Sequence, residues 1–257
     1  MFWSKILRFF SEDIAMDLGT ANTLLYTRDG GIIVNEPSVV AIDTRNNEVL
    51  AVGSEAKRAR GRTPKRIKTI RPMKSGVIAD FDTTSRMIVY FVNKAIGRSH
   101  LVKPSLVISV PTGITGVEKK AVIDAAATAG AGRVSLIEEP MAAAIGADLP
   151  VTEPVGTLIA DIGGGTSEVA VITMSAITVS QSIRIAGDAM NEILLRMLRD
   201  KYRLDVGENT AEHLKILLGS TQPVPDLPDY AEISGRDLVS GVPMTKKVTS
   251  EDVRLAL

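Results

Sequence analysis

Two stretches of this chain follow one plan, and few folds accommodate both. In DIAMDLGTANTLLYT (residues 13 to 27) and TLIADIGGGTSEVAVIT (residues 157 to 173), an apolar strand-like run ends in Asp-apolar-Gly, small residues follow, and a second strand-like run leaves the turn. Each half thus begins with a β-hairpin that has a carboxylate, Asp17 or Asp161, at its mouth. One such turn is ordinary tight-turn chemistry, because the same residues serve any hairpin. Two, both flanked by strands, point to a pair of phosphate-gripping turns.

The residue types suit that task. Glycine lets backbone N–H groups approach an anion without a Cβ in the way, so Gly163, Gly164 and Gly165 can wrap phosphate oxygens. Thr20, Asn22 and Thr166 add neutral donors. Asp17 and Asp161 offer hard oxygen to Mg²⁺, held through water because Mg²⁺ keeps several of its waters. The chain contains neither G-x-x-x-x-G-K-[ST] nor G-x-G-x-x-G, so it is no P-loop protein and carries no dinucleotide fingerprint.

Between the turns, SLVISV (105 to 110) reads as a strand buried on both faces, a helix follows from about Thr115 to Ala129, and Val134 to Ile137 is a further strand. Strand, helix, strand with short links is a βαβ unit, so the sheet is partly parallel and the class is α/β. Ile137-Glu138-Glu139-Pro140 closes that unit where a strand gives way to a helix, the usual ligand side of such sheets. Glu138 or Glu139 can orient an attacking water there, and Thr166 can hold the same water, since phosphoryl transfer needs positioning more than covalent chemistry. Either glutamate is equally at home as a solvated acid or helix cap.

Elsewhere, Asp80 or Asp82 caps a helix over Thr83 to Ile96, and helices are expected from Gly187 to Tyr202 and from about Ala211 to Leu218. Residues 220 to 247 read as loop with short strands, because three prolines fall within TQPVPDLP. Ser250-Glu251-Asp252 looks like a cap and an acidic first turn. The second half lacks a counterpart to the βαβ stretch, which suggests an incomplete chain.

Charge and cysteine content exclude several functions. Thirty basic and thirty acidic residues cancel, giving no support to a nucleic-acid surface, and the basic run Lys57 to Lys68 reads as a solvated loop. Without cysteine there is no disulfide, thiol nucleophile or cysteine-ligated zinc. The first ten residues, MFWSKILRFF, are aromatic-rich in a chain with few aromatics. On a helix, Phe2, Trp3, Ile6, Leu7, Phe9 and Phe10 fall within an arc of roughly 160°, opposite Lys5 and Arg8. That segregation reads as an interfacial membrane anchor, weak in one copy and strong by avidity in an assembly; packing on the protein's own core is the alternative.

Five motifs in order carry a family resemblance: DLGTANT (17 to 23), NEPSVVA (35 to 41), EEPMAAAIGA (138 to 147), DIGGGTSEVAV (161 to 171) and TAEHLK (210 to 215). Together they resemble the MreB family of bacterial actin-like cell-shape proteins over essentially the whole chain. The resemblance implies an actin-like, duplicated ribonuclease H-like fold with two domains around a nucleotide cleft, the second incomplete. The domains would be an anchor helix at 1 to 12, a first actin-like domain at 13 to 152 and a second at 153 to 257. It also implies ATP with Mg²⁺, a slow ATPase coupled to polymerisation, and antiparallel paired protofilaments on the inner face of the cell membrane alongside cell-wall elongation proteins. Thr20, Ala21, Asn22, Gly163, Gly164 and Gly165 would lie at the phosphates and Glu139 with Thr166 about the hydrolytic water. Glu212, His213, Leu214 and Lys215 would meet the ribose and base, with His213 standing where the family usually has Arg. Leu101 would lie on a second membrane-touching loop and the helix around Val117 where protofilaments pair. An Hsp70-like ATPase chaperone and an ATP-binding scaffold without turnover are the alternatives.

Overall fold

The computed structural model describes residues 13 to 59, 66 to 96 and 103 to 257. The anchor-like residues Phe2 to Phe10, Leu101 and part of the basic run after Lys57 lie outside them. Two compact units divide between Ile185 and Ala186. That line follows compactness, whereas the expected boundary at 152/153 follows the duplication of the hairpin.

The first unit is built on a five-stranded sheet in the order Arg133–Glu138, Ser105–Val110, Asp13–Leu18, Asn22–Thr27, Gly31–Pro37. The first three strands are parallel and the last two antiparallel. Alternation along Asp13–Leu18 sends Ile14, Met16 and Leu18 into the core and leaves Asp13, Ala15 and Asp17 on the other face. The core face is covered by the helices Phe81–Ile96 and Gly116–Thr128, which contribute Met87, Ile88, Phe91 and Val122, Ala125, Ala126. Asp80 caps the first of these, its Oδ1 accepting from the Thr83 N–H at 2.9 Å. Thr115 caps the second in a reciprocal box with Glu118.

On the opposite face, the helix Glu139–Gly146 touches both the parallel strands and a second, three-stranded antiparallel sheet formed by Thr157–Ile162, Ser167–Thr173 and Ala176–Ile183. The last two strands meet through Met174 and Ser175, both with positive φ, as a two-residue hairpin requires. The outward face of this sheet carries Leu158, Ile162, Val169, Val179 and Ile183, all exposed. A smaller sheet (Glu48–Val52, Val40–Asp43, Ile67–Ile70) with the helix Ser54–Ala59 and a short hairpin, Met73–Lys74 with Val77–Ile78, complete the unit.

In the second unit, the helices Gly187–Tyr202, Glu208–Leu218 and Ser250–Ala256 pack on a sheet of Leu204–Asp205, Tyr230–Asp237 and Pro243–Thr249 around Leu194, Leu198, Leu214, Ile233 and Val248. Residues 230 to 249 therefore form a long paired hairpin where mostly loop was expected. The three prolines of TQPVPDLP precede it, and its Gly235 admits Val206, whose Cγ1 would lie 2.6 Å from a Cβ at that position. Thr249, rather than Ser250, caps the final helix by accepting from the Asp252 N–H. No helix among the described residues is long and apolar enough to cross a membrane.

Candidate functional site

The two Asp-x-Gly turns, far apart in the chain, are packed against each other. A Cβ on Gly164 would lie 2.5 Å from the Cβ of Ala21, and one on Gly165 would lie 2.5 Å from Thr20 Oγ1 and 2.9 Å from Ser75 Cα. Neither glycine has a positive φ. They are required by close approach of the first turn, a reason distinct from the anion access that the sequence suggests. Within the second turn, the Gly163 N–H donates to the Thr166 carbonyl at 2.9 Å.

The first turn is braced from behind. Ser38, from NEPSVV, donates its hydroxyl to the Gly19 carbonyl at 2.6 Å and lies 2.9 Å from Thr23 Oγ1, while its N–H donates to the Ala21 carbonyl. Thr20 is buried, its hydroxyl accepting from the Gly76 N–H at 2.9 Å, whereas Asn22 is exposed. Arg71 donates to the Thr20 carbonyl at 3.3 Å. The tip of the short hairpin, Ser75 and Gly76 with φ of 50° and 77°, thus wedges against both turns.

Four carboxylates gather at this place. Asp17 and Ser109 are register partners on adjacent parallel strands, and Ser109 Oγ donates to Asp17 Oδ1 at 2.8 Å. Asp17 is open to solvent yet densely surrounded; that crowding pushes its carboxyl up, the Ser109 bond pulls it down, and the Asp161 charge raises it again. Asp161 and Glu168 are likewise on one face of the second hairpin. Glu168 is buried, and both its oxygens accept from the Thr112 N–H at 3.1 Å, which ties the second hairpin to the loop after Ser105–Val110. Glu139, half-buried at the first turn of its helix, is pushed up to about 8, by burial first and then by the charges of Asp17, Glu168 and Asp161. Glu138, also half-buried, is the helix N-cap residue, with no hydrogen bond from its side chain to the cap.

Asp17 and Glu139, both pushed up by burial and by neighbouring acids, mark a place where a cation would relieve the charge. Among the described residues, no three metal-ligating side chains come together as a cage. That fits Mg²⁺, which takes one or two carboxylates and completes its shell with water and phosphate oxygens, better than a metal held by protein alone. Asp17 and Asp161 fit that role.

The remaining expected ligand residues lie in the second unit, on Glu208–Leu218. Leu214 is fully buried in the core, so its side chain supports the fold and is not available to a ligand. Glu212 and Lys215 are half-buried, with Lys215 Nζ donating to the Gly187 carbonyl at 3.0 Å, and His213 is exposed. Ser38, Ser75, Ser109, Thr112 and Glu168 join the site only in the structure. Ser109 and Glu168 had a legible signal, a polar residue inside an otherwise apolar strand.

A two-hairpin site at the ends of a mixed five-stranded sheet, repeated by a second sheet, defines the class as actin-like. The family model described as MreB/Mbl protein matches residues 11 to 257, and the chain belongs to that family. The cell shape-determining protein Mbl of Bacillus cereus is 47% identical over 248 residues, spanning 96% of this chain and 74% of that protein. The cell shape-determining protein MreB of Escherichia coli (strain K12) is 46% identical over 258 residues, spanning 98% and 74%. MreB5 of Spiroplasma citri, solved bound to ADP and to AMPPNP, superposes with a TM-score of 0.89 at 34% identity, covering 96% of this chain and 74% of that one. The expected actin-like fold and cell-shape function hold, and the Hsp70-like alternative falls away.

Proposed function

We propose that this chain binds ATP with Mg²⁺ between its paired turns, hydrolyses it slowly, and polymerises into antiparallel paired protofilaments on the inner face of the cell membrane, where they guide cell-wall synthesis. The observation that carries the nucleotide reading is the seating of Gly164 on Ala21 and Gly165 on Thr20, which brings two strand-ending turns and their aspartates to one place. ADP and AMPPNP in the Spiroplasma relative support the same ligand class here.

In this reading the backbone N–H groups of Gly163 to Gly165 and the donors at Thr20 to Asn22 hold the phosphates, and Asp17 and Asp161 hold the hydrated Mg²⁺. Bound Mg²⁺ supplies charge neutralisation for the phosphate oxygens. Glu139, whose carboxyl is pushed up to about 8 by burial and by the charges of Asp17, Glu168 and Asp161, would ionise more readily with a cation held at Asp17 and Asp161 and so accept a proton from water. Thr166, at the end of the same turn, fixes that water's position. Glu212, His213 and Lys215 are the proposed ribose and base contacts, and Phe2 to Phe10 the membrane contact. The domains follow the duplication, 13 to 152 and 153 to 257.

Sedimentation and electron microscopy with lipid vesicles test this. Filaments on vesicles that need both ATP and Mg²⁺ are expected; a chain that neither pellets with vesicles nor polymerises under any nucleotide condition contradicts it. If polymerisation with ATP persists while phosphate release stays at background in the parent and in Glu139→Gln alike, the chain is a scaffold that binds ATP without turnover.

A further inference from the structure

The consecutive residues Glu36, Pro37 and Ser38 form a strap that grips a different part of the first unit at each end. At one end Ser38 holds the first turn through its bonds to the Gly19 and Ala21 carbonyls. At the other, the Glu36 side chain is only 15% exposed and has both carboxylate oxygens occupied. Oε1 accepts from Lys94 Nζ at 2.6 Å and Oε2 accepts from the Ser54 N–H at 2.7 Å. Lys94 belongs to the helix Phe81–Ile96 on the core face of the main sheet, and Ser54 opens the helix Ser54–Ala59 beside the small sheet.

The strap is stiff. Pro37 has a fixed φ and restricts Glu36 before it to extended backbone. Glu36 and Pro37 are also register partners of Thr23 and Asn22, the residues that leave the first turn. Gly53 makes room for the carboxylate: its φ is 70°, and a Cβ there would lie 2.6 Å from Glu36 Oε2. Burial alone would raise the Glu36 carboxyl, yet the bonds from Lys94 and Ser54 outweigh it and bring the carboxyl down to about 2, so it is ionised at neutral pH. A mostly buried carboxylate bonded on both oxygens cannot turn without losing a bond. Without Lys94, one oxygen would have to seek water.

The nucleotide reading assigns Thr20 to Asn22 to the phosphates, and those donors are aimed only as well as the carbonyls among them are held. Neither Glu36 nor Lys94 belongs to the turn itself. Resting on that reading, we propose that Glu36 and Lys94 are positioning residues for the ATP site: through Pro37 and Ser38 they aim the first turn at the phosphates, and through Ser54 they join that turn to the small sheet. The coupling is reciprocal, so ATP at the turn tightens the Ser54 contact as that contact tightens ATP.

Equilibrium ATP binding, phosphate release at saturating ATP and hydrogen exchange, all on the full chain, test this. Lys94 is 45% exposed, so changing it spares the core. Lys94→Ala should weaken ATP binding about three- to tenfold and leave the release rate at saturation within about twofold, because Glu139 and Thr166 stand on other elements. Glu36→Gln should do the same, the double variant should be little worse than either alone, and Lys94→Arg should recover the parental affinity. ATP should slow exchange at the amides of Ser54 to Lys57 in the parent, and less so in Lys94→Ala. An affinity indifferent to Lys94→Ala, or a loss that Lys94→Arg does not recover, overturns the proposal. If the parent binds no ATP, the nucleotide reading falls instead, and the strap is judged in the nucleotide-free chain: faster exchange at Thr20 to Thr23 in Lys94→Ala keeps it, and unchanged exchange rejects it.

Discussion

Ser109 donates its hydroxyl to Asp17 across two parallel strands at 2.8 Å, a hydrogen bond that pulls against the crowding of that carboxylate. Removing it in Ser109→Ala should raise the Asp17 carboxyl further. A hydrogen bond to a charged group is worth about 1.5–3 kcal/mol, part of which water recovers in an open site. The Mg²⁺ concentration that half-saturates ATP binding should rise about three- to tenfold, and more at pH 6 than at pH 8, because a raised carboxyl is increasingly protonated as pH falls. Titrating Mg²⁺ at both pH values measures this.

Glu139 makes the nucleotide-free fold sensitive to base. Its folded carboxyl sits near 8 against an ordinary 4.5, so between those values the folded state keeps a proton that the unfolded state has lost. Stability falls as pH rises through that window. Glu139→Gln removes the penalty, and its advantage in melting experiments should be absent at pH 4, grow from pH 5 to 8 and level off above. About 1–3 kcal/mol is expected, less than the full shift implies because the site admits water. Excess Mg²⁺ with ATP should shrink the difference.

The seating of the turns is testable by size alone. Gly164→Val and Gly165→Ala each place carbon where Ala21 or Thr20 already stands, and overpacking of this kind costs about 1–3 kcal/mol. Both should lose ATP affinity by more than about tenfold. Gly116→Ala, where a Cβ meets nothing within 4 Å, should retain it. Equilibrium binding of a fluorescent ATP analogue separates the three.

Trp3→Glu places a charge in the apolar arc of the first ten residues. Vesicle flotation should drop several-fold while ATP binding is unchanged, because burying one large apolar side chain is worth about 1.5–3 kcal/mol and Trp3 lies within the arc formed with Phe2, Ile6, Leu7, Phe9 and Phe10. Unchanged flotation would assign the arc to core packing.

Much of the first unit was legible because its strands are flanked by unambiguous turns and its helices by caps: Asp80, Thr115 and the Glu138-Glu139-Pro140 junction all mark real boundaries. The strand Ala176–Ile183 was not, since Thr178, Ser180 and Ser182 dilute its apolar pattern and nearly all of it is exposed. The hairpin at 230 to 249 was obscured in the same way, with only Ala231, Ile233, Asp237 and Val248 buried along it. At the site, the aspartates and glycines declare themselves through local turn chemistry. Ser109 and Glu168 show only as polar residues in apolar strands, and Thr112 not at all, because their partners lie 92 and 56 residues away and only the fold brings them together. Leu214 shows the opposite limit, where a motif names a whole helical turn although one of its residues faces the core.

The central claim is that the paired turns form one Mg²⁺-dependent nucleotide site. Calorimetric titration of the full chain with ATP, in Mg²⁺ and then in EDTA, tests it most directly when repeated on Asp17→Asn with Asp161→Asn. Saturable binding to one site is expected, weakened at least tenfold by EDTA and, in Mg²⁺, by the double substitution, with little further loss when the two are combined. Equal affinity in Mg²⁺ and EDTA, or a double variant that binds MgATP like the parent, would contradict it.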